Sequence, residues 1–261
     1  MSAVPVITAS DGVRLESAWH PGGPSAVVLA HGITGDLTEQ GLFVTLAEKL
    51  VTAGFSVLRF SFRGHGASAG RPRDMTVAGE LLNLRAAVSA AGAAGGPVSV
   101  VASSFGAVST TLSLAALPVR SVVLWQPVLD LRRTFLEPEL PRGIKLYSDR
   151  SSLREKGFLD IEGRFELGAP LFEEFTRLDP RAAFLAADQP ALVIHGDADE
   201  HVSHEIARAT AAARPGTDWW SVPGDGHGFR GHGPEVLAAT VAWLAAGGRF
   251  PCIERRESVL R

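Results

Sequence analysis

The sequence has a single cysteine and little net charge. Its one cysteine, Cys252, excludes an internal disulfide bond and leaves no set of thiolates that could hold a metal ion. The 261 residues carry a net charge of −3, which provides no electrostatic attraction to nucleic acid or to an anionic membrane surface. We therefore expect no nucleic-acid partner.

Long apolar segments are also missing. No apolar run reaches the length of a transmembrane helix, and residues 1–8 lack the basic start and apolar stretch of a signal peptide. We expect a cytoplasmic protein without a membrane span. The content of 46% hydrophobic and 20% charged residues is that of an ordinary globular protein, and the length suits one large α/β domain.

Short apolar segments alternate with segments of helical periodicity along most of the chain. This alternation predicts an α/β fold, in which helices flank a mostly parallel central sheet and functional sites form at the carboxyl ends of the strands. The predicted strands are 13–19, 26–30, 55–60, 98–102, 119–125, 191–195 and 218–222. The predicted helices are 42–51, 75–91, 107–116, 203–213 and 234–246.

One segment, 131–181, interrupts the alternation with charged residues and scattered aromatic side chains. The aromatic residues argue against disorder, because they can be buried against the core. We predict a small cap inserted into a single domain that spans 1–261 and ends in a basic tail, 248–261. Within the cap we expect a hairpin that turns at Glu162-Gly163 and a short helix over 170–178.

A short segment lies between a predicted strand and a predicted helix, with the sequence Ala102-Ser103-Ser104-Phe105-Gly106. A serine on such a sharp turn is exposed above the sheet and can act as a nucleophile. The chain passes close to itself here, so the residues two before and two after the apex must be small. Ala102 and Gly106 meet this requirement for Ser104, whereas the residues flanking Ser103 are too large. The alternative is a serine-rich loop that only caps the helix.

A serine nucleophile needs a base and an orienting acid, and both residue types follow later strands. His227 lies in a glycine-rich loop after the last predicted strand, and Asp199 follows the strand before it. Asp197 competes with Asp199 for the role of the acid, and Asp130, after the fourth buried strand, is a second alternative. We favour Asp199, with Asp197 supporting the turn.

The developing oxyanion needs two hydrogen-bond donors. The backbone N–H of Phe105 follows the nucleophile, and the backbone N–H of Ile33 lies in a loop after the first buried strand. His31, in the same loop, is expected to pack beneath it rather than act as a base. Residues that could line the substrate pocket are Trp125, Gln126 and Phe229.

With these candidate site residues assigned, the chain resembles the α/β-hydrolase superfamily over nearly its whole length. The matching motifs are His31-Gly32, Phe62-Arg63-Gly64-His65-Gly66, the Ser104 turn, His195-Gly196-Asp197-Ala198-Asp199 and Gly226-His227-Gly228-Phe229. Alanine at 102 departs from the usual glycine. The resemblance implies that Arg63 and His65 are structural. The cap is similar to that of bacterial cinnamoyl and feruloyl esterases and, more distantly, of lysophospholipases.

These observations predict a serine hydrolase that cleaves a small carboxylic ester or thioester without a cofactor. A thioesterase or acyltransferase on the same triad is the alternative, and a peptidase and a non-catalytic binding module are weaker ones. Acidic and histidine residues between 197 and 204 also lie close in sequence, but their spacing matches no standard zinc pattern. We therefore expect no metal site.

Overall fold

The apolar segments pair into a seven-stranded sheet. The structure is a computed structural model, and it describes residues 6–93 and 95–250; Cys252 and most of the predicted tail, 248–261, lie outside these ranges. The strands are β1 (Ile7–Thr8), β2 (Arg14–Leu15), β3 (Ser17–His20), β4 (Ala26–Ala30), β5 (Ser56–Phe60), β6 (Val98–Ser103), β7 (Val119–Trp125), β8 (Phe158–Ile161), β9 (Phe165–Gly168), β10 (Ala191–Gly196) and β11 (Thr217–Val222). The helices are α1 (Leu42–Thr52), α2 (Val77–Gly92), α3 (Gly106–Ser113), α4 (Pro141–Tyr147), α5 (Ser151–Lys156), α6 (Ala169–Phe175), α7 (Pro180–Leu185), α8 (His204–Ala213) and α9 (Gly233–Ala245).

The central sheet has the strand order β11-β10-β7-β6-β4-β5-β3. All neighbours are parallel except the edge strand β3, which is antiparallel to β5. Every residue of β4, β5, β6 and β10 is buried, as expected where helices cover both faces of a parallel sheet. The predicted α/β fold with a mostly parallel sheet is confirmed.

Two apolar layers separate the sheet from its helices. On one face, α2, α3, α7 and α8 pack against the sheet through residues such as Leu84, Ala107 and Phe184. On the other face, α1 and α9 bury Phe43 and Trp243. Because the strands run in register, the carboxyl ends of β4, β6, β7 and β10 lie side by side at one edge. Among the described residues, no helix is long and apolar enough to cross a bilayer.

The 131–181 insertion forms short elements that pack around an aromatic cluster. Its hairpin, β8–β9, turns at Glu162 and Gly163, whose φ angles are 55° and 70°, within a three-residue connection between Ile161 and Phe165. The predicted hairpin and the helix after it, α6, are therefore confirmed. Phe135 and Phe175 of the insertion contact Phe105 at ring distances of 5.7 and 5.8 Å, so the insertion packs directly on the turn that carries Ser104.

Two polar contacts fasten the insertion to the segment that leads into α2. The carboxylate of Glu174 accepts hydrogen bonds from the backbone N–H groups of Val77 and Ala78, where the helix dipole favours negative charge. Arg73 and Glu166 form two parallel hydrogen bonds of 2.7 and 2.8 Å. These contacts hold the insertion against the first turn of α2 and the residues before it.

The carboxyl group of Glu80, buried between α2 and α3, should make stability pH-dependent. Burial raises its pKa to about 8 from a usual value of 4.5, and among the described residues only the hydroxyl of Ser109 donates to it. Between these two pH values the folded state keeps a proton on Glu80 that the unfolded state has released. The contribution of Glu80 to the free energy of unfolding is therefore complete below about pH 4.5 and is lost as the pH rises to about 8. We expect Glu80→Gln to remove this dependence and to raise the free energy of unfolding at pH 9 by on the order of 2 kcal/mol.

Urea unfolding between pH 5 and 9 measures this effect. The control is Glu155→Gln, which neutralises an exposed carboxylate of α5. Identical pH slopes for the wild type and Glu80→Gln would contradict the prediction.

Candidate active site

The chain makes a strained turn between β6 and α3, with Ser104 at its apex. Ser104 has φ of 49°, in the left-handed region that residues other than glycine rarely adopt. A Cβ atom at position 106 would lie only 2.5 Å from the carbonyl oxygen of Ala30 and 2.6 Å from that of His31, so Gly106 is required there. Ala102, which precedes the turn, is fully buried and pairs with Ala30 in the sheet.

The turn brings Ser104 to a histidine and an aspartate from two other strand ends. The Oγ atom of Ser104 lies 3.1 Å from Nε2 of His227, and Nδ1 of His227 lies 2.8 Å from Oδ2 of Asp199. With Nδ1–H donated to the carboxylate, Nε2 is free to accept the serine proton. The arrangement can thus deprotonate Ser104 when it attacks an electrophile.

Asp199 is held by four hydrogen bonds. Besides His227, it accepts from Nε2 of His195 at 3.1 Å and from the backbone N–H groups of His201 and Val202 at 2.7 and 3.0 Å. Burial disfavours the charge, but His227 and His195 stabilise it and hold the pKa of Asp199 far below its usual range. The group therefore stays a carboxylate that faces the imidazole.

The two alternative acids lie elsewhere. The carboxylate of Asp130 accepts from the backbone N–H of Arg133 at 2.9 Å and makes no contact with His227. Asp197 accepts from the backbone N–H of Gly224 at 2.7 Å and so ties the β10 turn to the loop that carries His227.

The His227 loop is fixed on both sides of the histidine. Before it, Asp225 accepts from the backbone N–H groups of Gly226 and His232, both at 2.9 Å. After it, the side-chain oxygen of Gln126 accepts from the backbone N–H of Gly228 at 3.0 Å. Gln126 itself follows β7 with φ of 39°, so the end of one strand orients the loop of another.

Two backbone N–H groups are available near Ser104. Within the described ranges, the N–H groups of Ile33 and Phe105 donate to no backbone carbonyl. Ile33 lines the same cavity as Ser104, and Phe105 is the next residue in the chain. These are the two amides that the sequence predicts as oxyanion donors.

The two histidines of the adjacent loops serve as supports for the segment that contains Ile33. His31 is buried, donates from Nδ1 to the carbonyl of Gly32 at 2.8 Å and accepts at Nε2 from the N–H of Phe62 at 2.9 Å. Burial holds the pKa of His31 well below its usual range, so the ring is neutral. Nε2 of His65 lies 2.7 Å from the carbonyl oxygen of Ile33. Both rings therefore position the loop.

Glu39 is a site residue that the sequence analysis missed. Its carboxylate accepts from the backbone N–H of Gly32 at 3.2 Å and lines the cavity beside Ser104. Burial raises its pKa, and the Ser103 hydroxyl and the Gly32 amide oppose that rise. Glu39 and Gln40 both have left-handed backbones, with φ of 43° and 54°, which no sequence signal indicates in the absence of glycine.

His201 is a second residue that was not assigned to the site. Its ring stacks on that of His227, with centroids 4.7 Å apart and an angle of 21° between the planes. Burial and the neighbouring His227 lower the pKa of His201 to about 4, so it is uncharged near neutral pH. Stacking of a neutral ring restricts rotation of the His227 imidazole.

A cavity of about 600 Å³ opens above Ser104 between the strand ends and the insertion. Gln126 lines it, as expected. Trp125 and Phe229 do not, which corrects the expectation that they form part of the pocket. Both are fully buried beneath the site, where Trp125 donates from Nε1 to Thr240 at 3.0 Å and packs edge-on against Phe229. The alternation of side chains along β7 directs Trp125 toward α9.

Comparison with known proteins agrees with this architecture. Residues 27–240 match the model of a family described as the alpha/beta hydrolase family. The chain belongs to that family. No curated protein sequence matches it significantly.

Solved structures of this alpha/beta hydrolase fold superpose on nearly the whole chain. Est1E from Butyrivibrio proteoclasticus, in a structure with bound ferulic acid, is 24% identical with a TM-score of 0.81, over 93% of this chain and 98% of Est1E. The Pyrococcus furiosus esterase Pf2001 is 22% identical with a TM-score of 0.75, over 94% and 91%. Mouse alpha/beta hydrolase domain-containing protein 10 is 18% identical with a TM-score of 0.76, over 94% and 99%. The chain therefore shares its fold with these proteins.

Loss of the His201 ring should weaken catalysis while leaving Asp199 in place, because Asp199 binds the backbone of residue 201. We expect His201→Ala to lower kcat roughly ten-fold through a less well-oriented His227. His201→Phe keeps an aromatic ring and should retain most of the activity. The measurement is kcat with a 4-nitrophenyl ester, and wild-type turnover by the alanine variant would show that the stack has no role.

Proposed function

We propose that this alpha/beta hydrolase cleaves carboxylic esters through an acyl-enzyme intermediate. The observation that carries the proposal is the chain of contacts from Ser104 through His227 to Asp199, at 3.1 and 2.8 Å. The order of these residues along the sequence is that of the family's nucleophile, acid and base. One structural neighbour, Pf2001, is named as an esterase, and the structure of another, Est1E, contains bound ferulic acid; both support the same reaction class.

The first half-reaction forms the acyl-enzyme. Nε2 of His227 takes the proton of Ser104 as the serine oxygen bonds to the acyl carbon, and the carbonyl electron pair moves to its oxygen. The amides of Ile33 and Phe105 donate to this oxyanion, and a donor of this kind typically contributes about 3 kcal/mol to transition-state stability. The C–O bond to the alcohol then breaks, and His227 protonates the leaving oxygen.

The second half-reaction releases the acid. His227 takes a proton from water as the water oxygen bonds to the acyl carbon, and the second tetrahedral intermediate expels Ser104, which regains its proton from His227. Asp199 stabilises the imidazolium in both halves. Each step transfers only protons and an acyl group.

The 131–181 insertion is proposed to act as a cap that binds the acyl or alcohol group. It supplies much of the wall of the cavity above Ser104, including Thr134, Leu146 and Phe165. A volume of about 600 Å³ is in the range of small-molecule sites. The substrate is therefore a small ester whose reactive carbonyl reaches the strand ends beneath the cap.

Replacement of the nucleophile tests the reaction class. Ser104→Ala should lower kcat by at least about 10³-fold, because no other group can form the acyl-enzyme. It should also abolish covalent labelling by a fluorophosphonate probe. Ser103→Ala is the matched control and should keep most of the turnover and the labelling. An active Ser104→Ala enzyme, or a wild type that is never labelled, would refute the proposal.

Replacement of the acid tests the orientation of His227. Asp199→Asn loses the charge that stabilises the imidazolium and favours the wrong tautomer, so kcat should fall by about 10³- to 10⁴-fold. Asp130→Asn is the control, since this residue contacts the backbone of the insertion and should leave kcat close to that of the wild type. Equal losses in the two variants would refute the assignment of Asp199.

A further inference from the structure

The wall of the cavity above Ser104 contains apolar side chains and a group of arginines, here called the rim. Three arginines line it: Arg142, Arg164 and Arg230. The apolar lining residues include Val128, Phe135, Leu146, Ile161, Phe165 and Val202. The chain as a whole carries a net charge of −3, so the rim has the opposite sign to the average surface.

One carboxylate is shared by several cations on the side of the insertion. Oε1 of Glu162 accepts from Arg142 at 2.7 Å, Oε2 accepts from Arg164 at 3.0 Å, and Nζ of Lys145 lies 3.8 Å from Oε1. Three positive charges, two of them from α4, thus surround the one negative charge of Glu162. The side chain of Arg164 is 79% exposed and has donors that Glu162 does not use.

Arg230 lies in the loop that carries His227, three residues after that histidine. It is exposed and lines the cavity, and it forms no ion pair or side-chain hydrogen bond within the described ranges. Glu39, the other acid in the wall, is instead hydrogen-bonded to the backbone of Gly32. The guanidinium of Arg230 therefore has all its donors available for an anion, and its planar fork matches a carboxylate.

From this charge pattern we propose that the substrate is an ester that also carries a carboxylate, bound at the rim by Arg230 and Arg164 while its apolar part fills the interior. The inference rests on the proposed ester hydrolysis and specifies the substrate class of that site. One carboxylate on the substrate matches the rim, because Glu162 already neutralises part of the charge of Arg142 and Arg164. Attraction by exposed guanidinium groups should also accelerate association at low ionic strength.

The test compares mono-4-nitrophenyl suberate with the neutral ester in which a primary amide replaces the free carboxylate. The suberate chain keeps the carboxylate away from its own ester, so intramolecular cleavage is minimal. We expect the wild type to prefer the charged ester by about five-fold in kcat/KM at low salt, and the preference to shrink in 0.5 M NaCl. A second pair, with the carboxylate or the amide on the alcohol of an octanoate ester, shows which half of the substrate the rim binds. Preference for the charged member of either pair supports the proposal.

Variants identify the residues that cause the preference. Arg230→Gln and Arg164→Gln should each lower the ratio of kcat/KM for the charged ester over the neutral ester by about three-fold. Arg154→Gln makes the same charge change on exposed α5, away from the cavity, and should leave the ratio unchanged. No preference in either pair, or equal ratios in all variants, would overturn this inference while leaving ester hydrolysis intact. Failure to cleave any of the four esters, with no labelling of Ser104, would reject the proposed function as well.

Discussion

The architecture of the site depends on the close approach of the β6–α3 turn to the end of β4. Gly106 packs against the carbonyl oxygens of Ala30 and His31 with no room for a side chain. Two residues earlier, Ser104 has a left-handed backbone, and the amide of Phe105 lies between these two positions. Ser104 and the adjacent amide of Phe105 thus depend on one steric constraint, which regular parallel pairing of β4 and β6 maintains.

The sequence could predict the elements that depend on local pattern. Buried strands are apolar runs in the sequence. The small residues on either side of Ser104 favour it over Ser103 as the apex of the turn. His227 and Asp199 were identifiable because each follows a strand in a glycine-rich or acidic turn, and parallel strands end at a common edge. The structure brings these three side chains together.

Other parts of the site depend on contacts that no local pattern reveals. The stack of His201 on His227 joins two loops from different strand ends, and Glu39 reaches Gly32 only because the backbone at 39 and 40 is left-handed. The expectation that Trp125 lines the pocket was wrong for a related reason. A residue at the end of a strand can face the cavity or the core, and the side of the sheet that α9 covers decides between them.

The strained backbone positions of this protein are concentrated around the cavity. Of the non-glycine residues with positive φ in the described ranges, five lie in its wall: Glu39, Gln40, Ser104, Gln126 and Glu162. The sixth, Phe229, lies between two residues of the wall. Such positions cost on the order of 1–3 kcal/mol each and persist only where the surroundings hold them. The buried sheet provides that support for Ser104 and Gln126, which directly follow β6 and β7. Backbone strain is therefore concentrated in the wall of the site, and Glu162, which pairs with the arginines of the rim, shares a left-handed backbone with Ser104.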